Sequence, residues 1–146
     1  MKDSVNVAVI GAGYWGKKVI REYLQLDRSD PRVNLLMVCD LKDENLRCCN
    51  EEFHISKKKL VRDHKEVLAS NDVDAVHICT PNETHHQICK EALGAGKHVL
   101  LEKPMALHAK HAWELVGIAE SKHLILQVGH IFRFNNALKM MRDLIA

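Results

Sequence analysis

Short runs of apolar residues alternate along this chain with stretches whose apolar positions recur every three to four residues. The first apolar run is Val5–Ile10, and a second covers Val33–Cys39. An amphipathic stretch that begins near Tyr14 separates them, and its apolar side chains have the spacing of one helix face. The pattern therefore predicts a strand, a helix and a second strand, in that order.

The same alternation continues to the end of the chain. Four further strands are predicted, at Leu60–Val61, Ala75–Cys79, His98–Leu101 and Leu124–Val128. Helices are predicted between and after these strands. One covers Asp43–Phe53, a second follows a cap made by Asp63 with Glu66, and a third begins at a capping box of Thr84 with Gln87 and stops at Gly96. The last two are indicated by an apolar stripe of Ala109, Ala112, Trp113, Val116 and Ala119, and by a helix from about Asn135 with Leu138, Met141 and Ile145 on one face.

Strands that alternate with helices predict a parallel sheet, because parallel neighbours need a crossover connection and that connection is usually a helix. The first strand is apolar at successive positions from Val7 to Ile10, which is typical of a strand covered on both faces. The sequence thus predicts an α/β fold. It is a doubly wound parallel sheet, the Rossmann fold, of about six strands with helices on both faces.

Composition narrows the classes of function. The 146 residues suit one domain. A net charge of +2 with 5% aromatic residues does not indicate a binding surface for nucleic acid or for a membrane. The cysteines are five, an odd number, and form no CxxC pair. With no long apolar leader at the start, we expect reduced, buried thiols in a cytoplasmic protein and no metal site.

A glycine-rich loop lies between the first predicted strand and the first predicted helix. It reads Gly11, Ala12, Gly13, Tyr14, Trp15 and Gly16, the GxGxxG pattern. In this context the first glycine allows a tight turn, the second lets a pyrophosphate approach the backbone, and the third lets helix and strand pack closely. The amides at the helix N-terminus then favour the negative charge, so we expect all six residues to hold a dinucleotide.

An acidic residue, Asp40, follows the second strand, 24 residues after Gly16. A carboxylate at about this distance accepts hydrogen bonds from the ribose hydroxyls of a dinucleotide and repels a 2′-phosphate. We therefore expect NAD as cofactor rather than NADP, although Lys42 and Arg47 lie near enough to weaken the preference. The alternative is that Asp40 merely caps the strand end.

Several longer stretches carry a more specific resemblance. They are VAVIGAGYWGKKVI, VCD, VHICTPNETHH, AGKHVLLEKPMAL and QVGHIFRFNNAL. Together they resemble the glucose–fructose oxidoreductase / inositol dehydrogenase / MocA family over essentially the whole chain. The segments GYWGKK and GHIFRFN lean toward the branch that acts on nucleotide-linked sugars.

The resemblance implies roles for the segment after the fifth strand. Lys103 matches the active-site lysine of the family and is the expected catalytic residue, which also lies at the cofactor. An ammonium beside the reacting oxygen would stabilise developing alkoxide charge. Glu102 matches a residue near the nicotinamide ribose. A sharp turn after the strand also suggests a cis Lys103–Pro104 bond.

The resemblance also implies cofactor contacts elsewhere. Thr80, Pro81 and Asn82 match a segment that lies against the cofactor, and His85 matches a recurrent histidine that is as often structural as functional. Trp15 matches an aromatic near the pyrophosphate, although it could equally pack against the helix. Arg133 could reach the nicotinamide side, or it could serve a hinge or helix cap.

The family resemblance implies a nicotinamide-dependent oxidoreductase. It would transfer a hydride to or from a secondary alcohol or ketone of a sugar, nucleotide-sugar or cyclitol. Residues 1–134 form the expected dinucleotide-binding domain. Residues 135–146 begin the connection to an absent C-terminal α/β substrate domain, so this chain alone should bind cofactor but turn over poorly, and the full-length protein should form a homo-oligomer.

Two alternatives remain open at this point. One is a stand-alone NAD-binding module or redox sensor without catalysis, which would have no need of Lys103. The other is a different two-domain dehydrogenase, such as an amino-acid or biliverdin-type reductase, which predicts the same fold but gives no reason for GHIFRFN.

Overall fold

The computed structural model describes residues 4–145, and the expectations for residues 1–3 and 146 lie outside this range. One six-stranded sheet forms the centre of the fold. Its strands are β1 (Val5–Ile10), β2 (Val33–Cys39), β3 (Leu60–Val61), β4 (Ala75–Ile78), β5 (His98–Leu101) and β6 (Leu126–Val128). All neighbouring strands pair in parallel, in the order β3-β2-β1-β4-β5-β6.

Helices connect these strands. They are α1 (Tyr14–Ser29), α2 (Asp43–Phe53), α3 (His64–Ala69), α4 (Asn82–Gly94), α5 (Ala109–Ser121) and α6 (Asn136–Ile145), with short 3₁₀ turns at Lys57–Lys59 and Ile131–Phe134. The chain starts in the middle of the sheet, moves outward through β2 to β3, and returns to place β4 beside β1. This reversal opens a crevice at the carboxyl ends of β1 and β4, where ligands bind in sheets of this type. The predicted doubly wound α/β fold is confirmed.

The core has two layers, one on each face of the sheet. In β1, Ala8 and Ile10 pack into a cluster with the buried residues of α4 and α5, whereas Val9 packs with Ile20 of α1 on the opposite face. Successive residues of one strand therefore face different layers, which explains why the strand is apolar at each position from Val7 to Ile10.

The start of α4 differs from the prediction. Its N-cap is Pro81, so the predicted capping box of Thr84 and Gln87 is wrong. The Thr84 hydroxyl lies 2.7 Å from the Pro81 carbonyl oxygen and 2.8 Å from Thr80 Oγ1, and Gln87 donates to Glu91. The helix begins earlier because Pro81 turns the chain directly after the strand.

Other local predictions have mixed outcomes. The Asp63 carboxylate accepts a hydrogen bond from the Lys65 amide and caps α3, as expected. The Asn135 side chain likewise accepts from the first amides of α6. Trp113, however, is 73% exposed, so its placement in the apolar stripe of α5 was wrong; Ala119 is buried as predicted, and Leu115 is buried as well. The predicted face of α6 is exposed in residues 4–145.

All five cysteines are free; Cys39, Cys49 and Cys89 are buried as expected, whereas Cys48 and Cys79 are half-buried. Within the part of the chain that the structure describes, no helix combines the length and apolarity needed to span a bilayer.

Candidate functional site

The glycine loop follows β1 directly and is held by backbone contacts that exclude side chains. Gly11 has φ +98°, and a Cβ there would lie 2.7 Å from the carbonyl carbon and oxygen of Cys79. A Cβ at Gly16 would lie only 1.9 Å from the Gly11 carbonyl oxygen. The loop, β4 and α1 therefore approach one another as closely as their backbones permit, in agreement with the roles expected of the first and third glycines.

Gly13 has a different environment, because a Cβ there would meet nothing within 4 Å. It is the N-cap residue of α1 and provides no side-chain hydrogen bond to the first turn. The first amides of a helix have no intrahelical partner, and the helix dipole places partial positive charge there. The missing side chain at Gly13 thus leaves an open approach to donors that suit an anionic group.

Asp40 closes the base of this loop. One carboxylate oxygen accepts a hydrogen bond of 2.7 Å from the Ala12 amide, and the other accepts one of 2.8 Å from the Lys42 amide. Ala12, which is part of the loop, is fully buried. The carboxylate therefore joins the end of β2 to the glycine loop, and each of its oxygens retains capacity to accept a further hydrogen bond.

A cleft of about 470 Å³ opens above the carboxyl ends of β1, β2 and β4. Its lining includes six of the residues predicted to contact a cofactor, Gly11, Gly13, Tyr14, Asp40, Thr80 and Pro81. It also includes Lys42, Arg62 and His64, of which the last two were missed from the sequence. Arg62 donates to the Leu41 carbonyl and lies 3.3 Å from Asp43. The basic side chains that line the cleft with Asp40 therefore include Lys42 and Arg62, whereas Arg47 is not in this lining.

The other predicted residues are not in the lining of this cleft. Trp15 packs on the exposed side of α1, with the Lys18 ammonium 5.3 Å from its ring centre. Asn82 is exposed at the start of α4. Arg133 lies in the 3₁₀ turn after β6, where it lines a separate groove with Phe132 and residues of α6. The structure thus does not bring Arg133 together with the glycine loop.

A second group of polar residues lies at the end of β5. The Glu102 amide donates to Ile78 at the end of β4, and its buried carboxylate would be 3.2 Å from a Cβ at Gly129. Lys103 follows and is exposed, and the Lys103–Pro104 peptide bond is cis, as expected. Because parallel strands end at one edge of the sheet, Glu102 and Lys103 share that edge with Gly11 and Thr80.

The buried His77 of β4 contacts Glu102. Its Nε2 atom lies 3.4 Å from a Glu102 carboxylate oxygen, and Tyr23 meets its ring edge-on. Burial lowers the pKa of His77, and the Glu102 charge opposes that shift. The other ring nitrogen, Nδ1, has no hydrogen-bond partner among residues 4–145. The ring therefore donates from Nε2 and helps to hold the Glu102 carboxylate.

The half-buried Cys79 completes this cluster, in which the donor atoms of His77, Cys79 and Glu102 lie within 4.8 Å of one another. Burial, and then the Glu102 charge, raise the pKa of the Cys79 thiol far above its usual range. The thiol therefore stays protonated and acts as a packing group beneath the loop. The spacing of His77 and Cys79, two residues apart in the predicted strand Ala75–Cys79, is a sequence signal for this cluster that was missed.

His85 lies in the first turn of α4 and is fully buried. Its Nδ1 atom is 2.7 Å from the Pro104 carbonyl oxygen, and its Nε2 atom is 2.9 Å from the Thr80 carbonyl oxygen. Both ring nitrogens thus face the backbone, and the ring is not part of the cleft lining.

Comparison with known proteins agrees with this geometry. A sequence model of an oxidoreductase family with an NAD-binding Rossmann fold matches residues 5–130. The chain is 31% identical over 139 residues to a UDP-N-acetylglucosamine 3-dehydrogenase of Acidithiobacillus ferrooxidans, which covers 95% of this chain and 41% of that protein. It therefore spans about two fifths of the length of such relatives.

Solved structures show the same relation. KijD10, a 3-ketoreductase from Actinomadura kijaniata crystallised as a Y186F mutant with TDP-benzene and NADP, is 25% identical with a TM-score of 0.82, over 97% of this chain and 42% of that one. An apo scyllo-inositol dehydrogenase from Lactobacillus casei, at 23% identity, shares the fold with a TM-score of 0.84 over 99% of this chain and 42% of that one. The chain belongs to the glucose–fructose oxidoreductase / inositol dehydrogenase / MocA family of oxidoreductases and comprises its NAD-binding Rossmann fold.

Proposed function

We propose that this chain is the cofactor-binding part of a nicotinamide-dependent oxidoreductase. Its substrate would be a secondary alcohol or ketone of a sugar, nucleotide-sugar or cyclitol. The observation that carries the proposal is the side-chain-free approach at Gly13 to the first amides of α1, closed below by Asp40. The names of two relatives, a UDP-N-acetylglucosamine dehydrogenase and a 3-ketoreductase bound to a TDP compound, support a nucleotide-sugar as the substrate class.

In this proposal each element of the site has one task. The amides of Gly13 and Tyr14 bind the diphosphate, and Asp40 accepts hydrogen bonds from the adenosine ribose. Thr80, Pro81 and Glu102 lie along the path to the nicotinamide, because they share the sheet edge with the glycine loop. The bound nicotinamide supplies or accepts the hydride.

Lys103 is proposed to handle the proton. Its ammonium would hydrogen-bond the reacting oxygen of the substrate and stabilise negative charge as the carbon–hydrogen bond breaks or forms. In reduction the Lys103 ammonium would donate a proton to the substrate oxygen and become the neutral amine, and in oxidation the neutral amine would accept the hydroxyl proton and become the ammonium. The chain by itself is proposed to bind cofactor but turn over slowly, since hydride transfer also needs a substrate held in a reactive geometry.

The cofactor preference is proposed to be NAD. Asp40 lines the cleft together with Lys42 and Arg62. Facing the adenosine ribose, its charge would repel a 2′-phosphate, and the two basic residues would partly offset that repulsion. We expect saturating NAD to raise the melting temperature more than NADP at equal concentration, as measured by thermal unfolding. An equal or larger shift with NADP would contradict the role given to Asp40.

Asp40→Asn tests the same role by mutation. The variant loses the charge that accepts from Ala12, so we expect NAD to bind at least about tenfold more weakly and the preference over NADP to shrink or reverse. Calorimetric titration with both cofactors measures this. Asp27→Asn, on the exposed distal part of α1, removes the same charge and is expected to bind NAD normally.

The free thiols support a reducing compartment, and we propose the cytoplasm. Burial raises the pKa of Cys39 and Cys89 to about 12 and that of Cys49 to about 11. Such thiols are unreactive packing groups at neutral pH.

A further inference from the structure

The segment that carries Lys103 has few anchors. Residues 103–107 follow β5 and precede α5 without regular secondary structure, and both Lys103 and Pro104 are exposed. Met105 packs partly against the core. Within residues 4–145, the contact from His85 to the Pro104 carbonyl is the one hydrogen bond that reaches this segment.

His85 makes this contact from a rigid position. It is fully buried in the first turn of α4, and the same helix contributes the buried Cys89, Ala92 and Leu93 to the core. A side chain fixed in this way transmits the position of α4 to whatever it binds. The neighbouring residue of that acceptor, Lys103, is the one proposed to act on the substrate.

The two contacts of the ring are not equivalent. Carbonyl oxygens only accept hydrogen bonds, so each contact is formed by a ring N–H, and a neutral imidazole carries one. The Nδ1 contact to Pro104 is the shorter, at 2.7 Å against 2.9 Å, and it joins two elements that are 19 residues apart. The Nε2 contact to Thr80 stays within the turn that begins α4.

We propose that His85 is a positioning residue whose Nδ1–H donates to the Pro104 carbonyl and thereby fixes the Lys103 segment against the nicotinamide end of the cleft. This rests on the proposed function for the part that concerns the nicotinamide. It replaces a direct contact between His85 and the cofactor, because the ring nitrogens already face backbone oxygens.

The protonated nitrogen can be tested without mutation. A long-range proton–nitrogen NMR spectrum of the labelled protein, at pH 7.5, reports whether each ring nitrogen of His85 carries a hydrogen. The proposal expects a protonated Nδ1. An Nδ1 without hydrogen, with the proton on Nε2, would overturn it whether or not the protein binds a cofactor.

Two variants separate the two contacts. In His85→Asn the side-chain amide nitrogen takes the place of Nδ1, and in His85→Gln it takes the place of Nε2. We expect NADH to bind about tenfold more weakly to His85→Gln and within about threefold of the natural protein to His85→Asn. ADP-ribose, which lacks only the nicotinamide ring, should bind both variants within about twofold.

Cys89→Ala is the matched control, since it removes a buried side chain from the same helix without a polar contact. It is expected to lower the melting temperature and leave the ratio of NADH to ADP-ribose affinity unchanged. Retained NADH affinity in His85→Gln, or equal loss in His85→Asn, would overturn the proposal. If the natural protein binds neither ligand, the proposed function fails, and the NMR measurement still decides the contact.

Discussion

Gly16→Ala is expected to abolish dinucleotide binding and to destabilise the fold. The added Cβ would lie 1.9 Å from the Gly11 carbonyl oxygen, far inside van der Waals contact, and 3.6 Å from the Cys79 side chain. Neither neighbour is the free end of a flexible side chain, so the whole start of α1 must move away from β1. Such overpacking costs roughly 1–3 kcal/mol or more in the free energy of unfolding.

The displacement also moves the amides that we propose to bind the diphosphate, so the effect on NADH affinity should exceed the effect on stability. Denaturant unfolding and a NADH titration measure the two. Gly117→Ala is the control, because a Cβ at this helical position would meet nothing within 4 Å. It should bind NADH normally and be more stable by about 0.5–1 kcal/mol. Full NADH affinity in Gly16→Ala would contradict the described loop geometry.

Lys103→Met is expected to have the largest effect on turnover. The substitution keeps an unbranched side chain of similar length but removes the ammonium that we propose to stabilise charge on the substrate oxygen. Loss of a group that assists proton transfer lowers kcat by about 10²- to 10⁴-fold. In this variant the His85 contact to the Pro104 carbonyl still fixes the segment beside the nicotinamide, so the NADH dissociation constant should change by less than about threefold.

Steady-state kinetics on the complete natural polypeptide, with UDP- and TDP-linked sugars as substrates, measures this effect. Lys110→Met, an exposed residue in the first turn of α5, is the control and should have normal kcat. A variant that loses NADH binding but keeps its kcat would show that Lys103 binds cofactor instead of acting on substrate.

The strands and the glycine loop could be predicted because local sequence determines them. Burial on both faces makes β1 apolar at each position from Val7 to Ile10, and the tight turn at Gly11 admits no side chain, so both features leave a pattern in the sequence. The ends of elements were less predictable. The N-cap of α4 is Pro81, ahead of the capping box suggested at Thr84, because Pro81 turns the chain directly after β4.

Contacts between distant segments account for most of what the sequence did not reveal. His77 and Glu102 are 25 residues apart, and Arg62 enters the cleft from the end of β3. Trp113 has helical spacing with buried residues and is nevertheless exposed. The spacing of apolar residues does not determine which residues at the border of the stripe are covered by the rest of the fold. Asp40 was identified for its position after β2, but its bond to the Ala12 amide depends on how closely β1 and β2 align.

A crystal structure of the protein with bound NAD tests the central claim most directly. We predict that the diphosphate oxygens lie within about 3 Å of the Gly13 and Tyr14 amide nitrogens, with the adenosine ribose hydroxyls on the Asp40 carboxylate. The nicotinamide should extend past Thr80 toward Glu102 and Lys103. A dinucleotide bound elsewhere, or a cleft left vacant at saturating NAD, would contradict the account.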